Sequence, residues 1–198
     1  LQMSELTPVT TYLCDAIDST AENIQAVALQ VDSAADLIAK SLLDDKKVLI
    51  CGSGFAAPIA QILTTGLMDQ HEFERPGLPA INLSADSVTM SSVAKNQESG
   101  FVFSKQIRAI GSEGDCLIAF ALDDNTADII KAIESANEKG MRIIIFNCGA
   151  ALGGLATQHR TQEVSFNTPS LSRALELTLL SSNTLIRCIE SRLFGIPL

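Results

Sequence analysis

Lys47-Val48-Leu49-Ile50-Cys51-Gly52-Ser53-Gly54-Phe55-Ala56-Ala57 is a short apolar run broken by a Gly-x-Gly turn, and it decides the fold. The run is too short for a helix and ends on its β-rich side in glycines, so it reads as a buried strand. The stretch after it, Phe55 to about Met68, reads as a helix. The pattern then repeats. Pro79–Leu83, Asp115–Phe120, Met141–Phe146 and Glu163–Phe166 are further strand candidates. A helix over 125–139 stops at Gly140 ahead of the fourth strand. Strands that are apolar throughout and alternate with helices predict a parallel sheet covered on both faces.

The ends extend this core. The first ~45 residues read as helix, with Leu13, Ile17, Ile24, Val27, Ala28 and Val31 near helical spacing. A second helix is expected from Ser33 to about Leu43. The chain closes on a helix from about Ser172 to Leu193, apolar beyond one stripe, which must be covered on more than one side. The expected fold is α/β: a doubly wound five-stranded parallel sheet with extra N- and C-terminal helices. It is read as one domain over 3–198, with N-terminal helices about 5–45, an α/β core about 46–170 and a C-terminal helix about 172–194.

Composition narrows the function classes. The 198 residues carry a formal net charge of −9 and are 46% hydrophobic, so a folded core is expected and disorder is not. Beyond Lys46-Lys47 there is no basic cluster, and there is one Tyr and no Trp. Both argue against direct nucleic-acid binding, which needs phosphate neutralisation and stacking surfaces. No apolar run approaches the ~20 residues of a membrane span. The start has no basic flank or signal-peptide hydrophobic region, and Leu1 and Gln2 before Met3 are set aside as foreign to the natural chain. Five scattered cysteines, at 14, 51, 116, 148 and 188, suit a reduced cytoplasmic protein rather than a disulfide framework.

In an open parallel sheet, ligands sit beyond the carboxyl ends of strands, at a switch point. That directs attention to loops 52–56, 84–87, 94–97 and 121–126. Gly52-Ser53-Gly54 before a helix start is either a phosphate cradle of backbone N–H groups or a tight βα turn that needs glycine. The loop Ala121-Leu122-Asp123-Asp124-Asn125-Thr126 offers two carboxylates where a phosphate loop wants hydroxyls and glycine. Asp123 or Asp124 is expected to cap its own helix and repel an anion. His71 and His159 have no metal-ligand spacing and read as surface. Ser53 has no nearby His, so no nucleophilic triad is expected.

These residues carry a resemblance. Val48–Gly54 resembles the first strand and loop of SIS domains. Phe73-Glu74-Arg75-Pro76-Gly77-Leu78-Pro79-Ala80-Ile81 is similar to a segment of phosphoheptose isomerases and of the DnaA initiator-associating proteins, the DiaA group. Lys105-Gln106-Ile107-Arg108-Ala109-Ile110-Gly111, with Gly114-Asp115, resembles another, and Asp128–Glu134 the helix after it. The resemblance runs from about residue 40 to 195. It implies a homotetramer whose sugar-phosphate sites lie between subunits, and enzymes that use a carboxylate base, a histidine acid and zinc. A proton shuttle needs both base and acid.

Carried over residue by residue, the resemblance puts the family's catalytic histidine at Ile62. Its carboxylate falls at or next to Gly66, beside Thr65, its glutamine at Leu175 and its last histidine at Asn183. None is a usable zinc ligand set. An aspartate of the family's Asn-Asp pair falls at Gln97, after Asn96. The implied sugar-phosphate site, in degenerate form, comprises Gly52, Ser53, Gly54 and Phe55, Ser84 and Asp86, then Asp124, Asn125, Thr126 and Glu176. No catalytic residue, metal or cofactor is expected. Asn183 and the ending Arg192-Leu193-Phe194-Gly195 are similar to the DiaA group, which implies a cytoplasmic tetrameric adaptor for the initiator DnaA in the control of replication initiation. The alternatives are an aldose–ketose sugar-phosphate isomerase of unrecognised arrangement and a sugar-phosphate-binding sensor. Leu193 and Phe194 are the expected partner contacts, with packing into the oligomer core as the other reading.

Overall fold

The central apolar runs become strands buried at nearly every position, while the edge strands are partly exposed. A computed structural model describes residues 7–124 and 126–198. In chain order it contains α1 (Pro8–Leu43), β1 (Val48–Cys51), α2 (Ala57–Met68), β2 (Ala80–Asn82), α3 (Ser87–Asn96) and α4 (Val102–Ile110). Then come β3 (Cys116–Ala121), α5 (Ala127–Glu138), β4 (Arg142–Asn147), β5 (Thr161–Ser165) and α6 (Leu171–Phe194). The five strands form one parallel sheet in the order β2-β1-β3-β4-β5. That is the doubly wound α/β architecture expected from the alternation. The expected start of the N-terminal helices near residue 5, the domain's start at 3 and the reading of Leu1 and Gln2 lie outside the described residues.

Alternation along the strands sorts the core onto two faces. Val48, Ile50, Cys116, Ile118, Phe120, Ile144 and Phe146 pack against α1, α2 and α6. Leu49, Cys51, Leu117, Ala119, Ile143 and Ile145 pack against α4 and α5. Phe146 joins the first face by ring contacts to Phe120 at 5.0 Å and Phe166 at 6.3 Å. The chain leaves β1 for one face through α2 and leaves β3 for the other through α5. The crevice between β1 and β3 is therefore the topological switch point.

Two expectations need correction. The N-terminal helix pair is one continuous helix of 36 residues. Ser33, read as a new helix start, instead returns its hydroxyl to the Leu29 carbonyl at 3.0 Å, so it is accommodated inside the helix. The stripe Val27, Val31, Ala34, Ala35 and Ile38 runs through that point without a break. Residues 85–110 hold two helices that the sequence did not reveal, and 94–96 lies within α3 rather than in a ligand loop. No α3 residue is buried, so it shows no apolar stripe to read.

The motifs that carry the resemblance hold the fold together. Asp115 is buried and its carboxylate accepts from the Lys47 ammonium at 2.6 Å and the Lys47 and Ser112 amides at 3.1 and 2.8 Å. Gln106 donates to the Leu83 carbonyl at 2.9 Å, joining α4 to the end of β2. Arg75 donates to the Leu67 and Gly66 carbonyls that end α2. Among the described residues, no helix is long and apolar enough to cross a membrane.

Candidate functional site

The Gly-x-Gly loop stands at the switch point. Gly54 has φ 55°, the left-handed region that favours glycine, and a Cβ on Gly52 would meet Ala56 at 3.1 Å. Ser84 fixes this loop from the neighbouring strand end. Its hydroxyl donates to the Gly52 carbonyl at 2.7 Å and accepts from the Gly52 amide at 3.3 Å. Two concavities adjoin the loop. The crevice above β1 and β3 is lined by Ser53, Phe55, Phe120, Leu122, Thr126, Leu171 and Leu175, and holds about 10 Å³. That is room for about one water. Beside it a cleft of about 420 Å³ opens between Ser53, Met90, Ser91, Ser99, Val102 and Asp128. Among the described residues, neither is lined by Lys, Arg or His.

The start of α5 is where an anion would sit. Thr126 holds the N-cap position, without a side-chain cap hydrogen bond, in place of the expected Asp123 or Asp124. The first-turn carboxylate is Asp128, which accepts from the Ile129 amide at 2.8 Å. Burial pushes the Asp128 carboxyl above its ordinary value, against the opposite pull of the Ser53 hydroxyl and the Ile129 amide. A half-buried carboxylate thus takes the Ile129 amide and the Ser53 hydroxyl, two of the donors that a phosphate there would use. Asp124 is exposed, and Asn125 lies outside the described residues. Sequence reasoning missed Asp128; its signal was a carboxylate in the first turn after the switch-point loop.

Asp86, Glu176 and Leu193 have structural tasks, while Phe55 and Phe194 are exposed. Asp86 is the N-cap of α3, accepting from the Val88 and Thr89 amides at 3.1 and 2.9 Å and the Thr89 hydroxyl at 2.6 Å. These bonds, Thr89 first, hold its carboxyl below the ordinary value. Glu176 accepts from Arg173 at 2.7 Å, and Arg173 stacks over Tyr12 at 4.3 Å. Phe55 is 73% exposed at the crevice mouth. Leu193 packs against the core, while Phe194 is left 38% exposed.

The positions at which the resemblance places metal and base do not fit either. Ile62, Gly66 and Leu175 offer no donor atom. A Cβ on Gly66 would lie 2.5 Å from Ile186 Cδ1, so α6 fills the space that a side chain at 66 needs. No group of three or more His, Cys, Asp or Glu among the described residues could hold a metal ion. His71, expected in a solvated loop, instead turns its ring towards this point. Its Cδ2 is 3.5 Å from the same Cβ position, and its Nδ1 is buried without a hydrogen-bond partner.

A family model described as the SIS domain matches residues 11–147. The chain belongs to the SIS domain family. This SIS domain is 37% identical over 185 residues to the phosphoheptose isomerase of Halorhodospira halophila, spanning 92% of this chain and 93% of that protein. It is 34% identical over 182 residues to the DnaA initiator-associating protein DiaA of Photorhabdus laumondii, spanning 91% and 92%. A phosphoheptose isomerase structure from Francisella tularensis superposes with a TM-score of 0.88 at 28% identity, over 96% of this chain and all of that one. Overall identity does not separate the two kinds of relative. The residues at the site have to.

Proposed function

We propose that this SIS domain is a non-catalytic, cytoplasmic homotetrameric adaptor that binds a replication initiator of the DnaA type. The observation that carries this reading is Ile186 lying where a side chain at 66 would stand. A missing carboxylate alone could be replaced from a neighbouring position, but at 66 a side chain would also have to displace a fully buried isoleucine. The one-water crevice and Asp128 at the start of α5 argue in the same way against a phosphate there. Tetramer formation is supported by a groove of about 190 Å³ between α1 and α6, whose walls include the exposed Ile24 and Leu180. An oligomer repeats one surface several times and gathers initiator molecules by avidity.

The test combines two measurements on the purified chain. Sedoheptulose 7-phosphate turnover with added zinc should stay at background, and the chain should capture DnaA from its own cell extract. Turnover above background overturns the non-catalytic reading, and a chain that is monomeric by light scattering at micromolar concentration overturns the tetramer. A second reading, a sensor that binds sugar without turnover, is favoured by the 420 Å³ cleft with its three serine hydroxyls. Calorimetric binding of sedoheptulose 7-phosphate without turnover would support it over the adaptor.

A further inference from the structure

Most cations of this acidic chain are ion-paired, and the unpaired ones are not scattered. Among the described residues, Lys40, Lys46, Lys95, Lys105, Lys139 and Arg160 form no ion pair. Four of these, Lys40, Lys46, Lys139 and Arg160, lie on segments leading into strands β1, β4 and β5. They therefore collect at the amino end of the sheet, opposite the Gly-x-Gly loop. A hollow of about 500 Å³ opens there between Leu37, Lys40, Glu113, Arg142, His159 and Arg160.

Its walls are held in place. Arg142 donates to the Ser41 hydroxyl and the Gly114 carbonyl, both at 2.8 Å, and pairs with Asp44 at 3.0 Å. Arg160 has φ 73°, a left-handed conformation that a residue with a Cβ adopts at a cost. Its guanidinium makes one hydrogen bond, to the Gly140 carbonyl at 3.1 Å. The other N–H groups of its planar fork are free for a ligand. Among the described residues, Glu113 is the one carboxylate lining the hollow, and Leu37 the one large apolar side chain.

We infer that this hollow binds a small phosphate-bearing anion. Its size is that of a small-molecule site. Two guanidinium groups and an ammonium around one space match the geometry of a phosphate, which arginine engages through paired N–H groups. Arg160 lines the hollow from a left-handed backbone conformation, with its guanidinium anchored on the Gly140 carbonyl. This site shares no lining residue with the cleft at the carboxyl ends of the strands and does not rest on the adaptor reading.

The experiment is calorimetry of inorganic pyrophosphate on the full chain at low salt, with sodium chloride matched for ionic strength as the control. Saturable binding of one anion per chain is expected. Arg160→Gln should weaken it about tenfold or more, the scale of one lost charge-assisted hydrogen bond. Arg160→Gly should weaken it equally while leaving the thermal midpoint no lower than the parent's, because glycine relieves the left-handed strain. Ser53→Ala should leave pyrophosphate affinity unchanged. The proposal is overturned if no saturable binding is seen or if sodium chloride at matched ionic strength abolishes pyrophosphate binding. It is also overturned if both Arg160 variants bind like the parent, or if the loss appears with Ser53→Ala instead.

Discussion

Arg75 Nε donates to Glu190 Oε1 at 3.1 Å, and the two side chains are 1% and 0% exposed. The same guanidinium ends α2 through the Leu67 carbonyl at 2.7 Å, and Glu190 also accepts from Arg187 at 3.0 Å. Removing one partner of such a pair strands the other charge in the core, at a cost of about 3–5 kcal/mol. Arg75→Ala is expected to lose that much in denaturant unfolding. Arg75→Lys should recover little, since an ammonium cannot reproduce the fork. A loss below about 1 kcal/mol would reduce the pair to the worth of a surface ion pair.

Gly66 and Ile186 form a second coupled pair. Gly66→Glu must displace a fully buried, β-branched side chain, an overpacking cost of about 1–3 kcal/mol. Ile186→Ala opens the space, so the cost of Gly66→Glu should fall in that background. A double-mutant cycle read by thermal unfolding measures the difference. Strict additivity would mean that Ile186 does not occupy the place of a side chain at 66.

Asp86 and Asp128 stand at the starts of two helices with opposite pH signatures. The folded Asp86 carboxyl lies below its ordinary 3.8, so its ionised form stabilises the fold above 3.8, and this is lost as pH falls through the folded value. The folded Asp128 carboxyl lies above 3.8, so its ionised form costs stability once pH exceeds the folded value, and nothing below 3.8. Asp86→Asn is expected to be less stable than the parent at neutral pH, Asp128→Asn more stable. Both differences should close on acidification below 3.8. Unfolding midpoints from neutral pH down to the acid limit check the pair, and matching signs would refute it.

Leu193 and Phe194 separate by burial. Leu193→Ala should lower the unfolding midpoint, because it opens a gap against the core, with about 2 kcal/mol as the lower end for such truncations. Phe194→Ala should leave stability close to the parent and reduce initiator capture, as loss of an exposed aromatic anchor does. Capture that survives Phe194→Ala would remove the C-terminal end from the adaptor surface.

Much of the architecture was legible because its causes are local. The runs 48–51, 116–121 and 143–146 are apolar at every position, and a fully buried parallel strand permits little else. The missed helix α3 touches the core only through half-buried side chains, and the single long α1 looked divided because serine signals helix starts as well as tolerated interior positions. At the site, loss of donors at Ile62, Gly66 and Leu175 was visible once the resemblance aligned them. The direct occupant of the α5 start was not, because Asp123, Asp124 and Asp128 are equally plausible carboxylates until the helix is wound.

The sequence by itself determined the parallel α/β fold, the family, and the absence of a carboxylate–histidine shuttle at the positions where the family resemblance places it. Each of these depends on residue type at a position, or on neighbours a few residues apart. Only the tertiary structure decided that Ile186 fills the space at Gly66, that His71 turns towards it, that Arg75 is matched by Glu190, and that four of the six cations without an ion pair gather at one end of the sheet. These are meetings of segments distant along the chain. They arise because α2 packs on α6 and because every strand of a parallel sheet is entered from the same edge, and no local pattern of side chains encodes either distance.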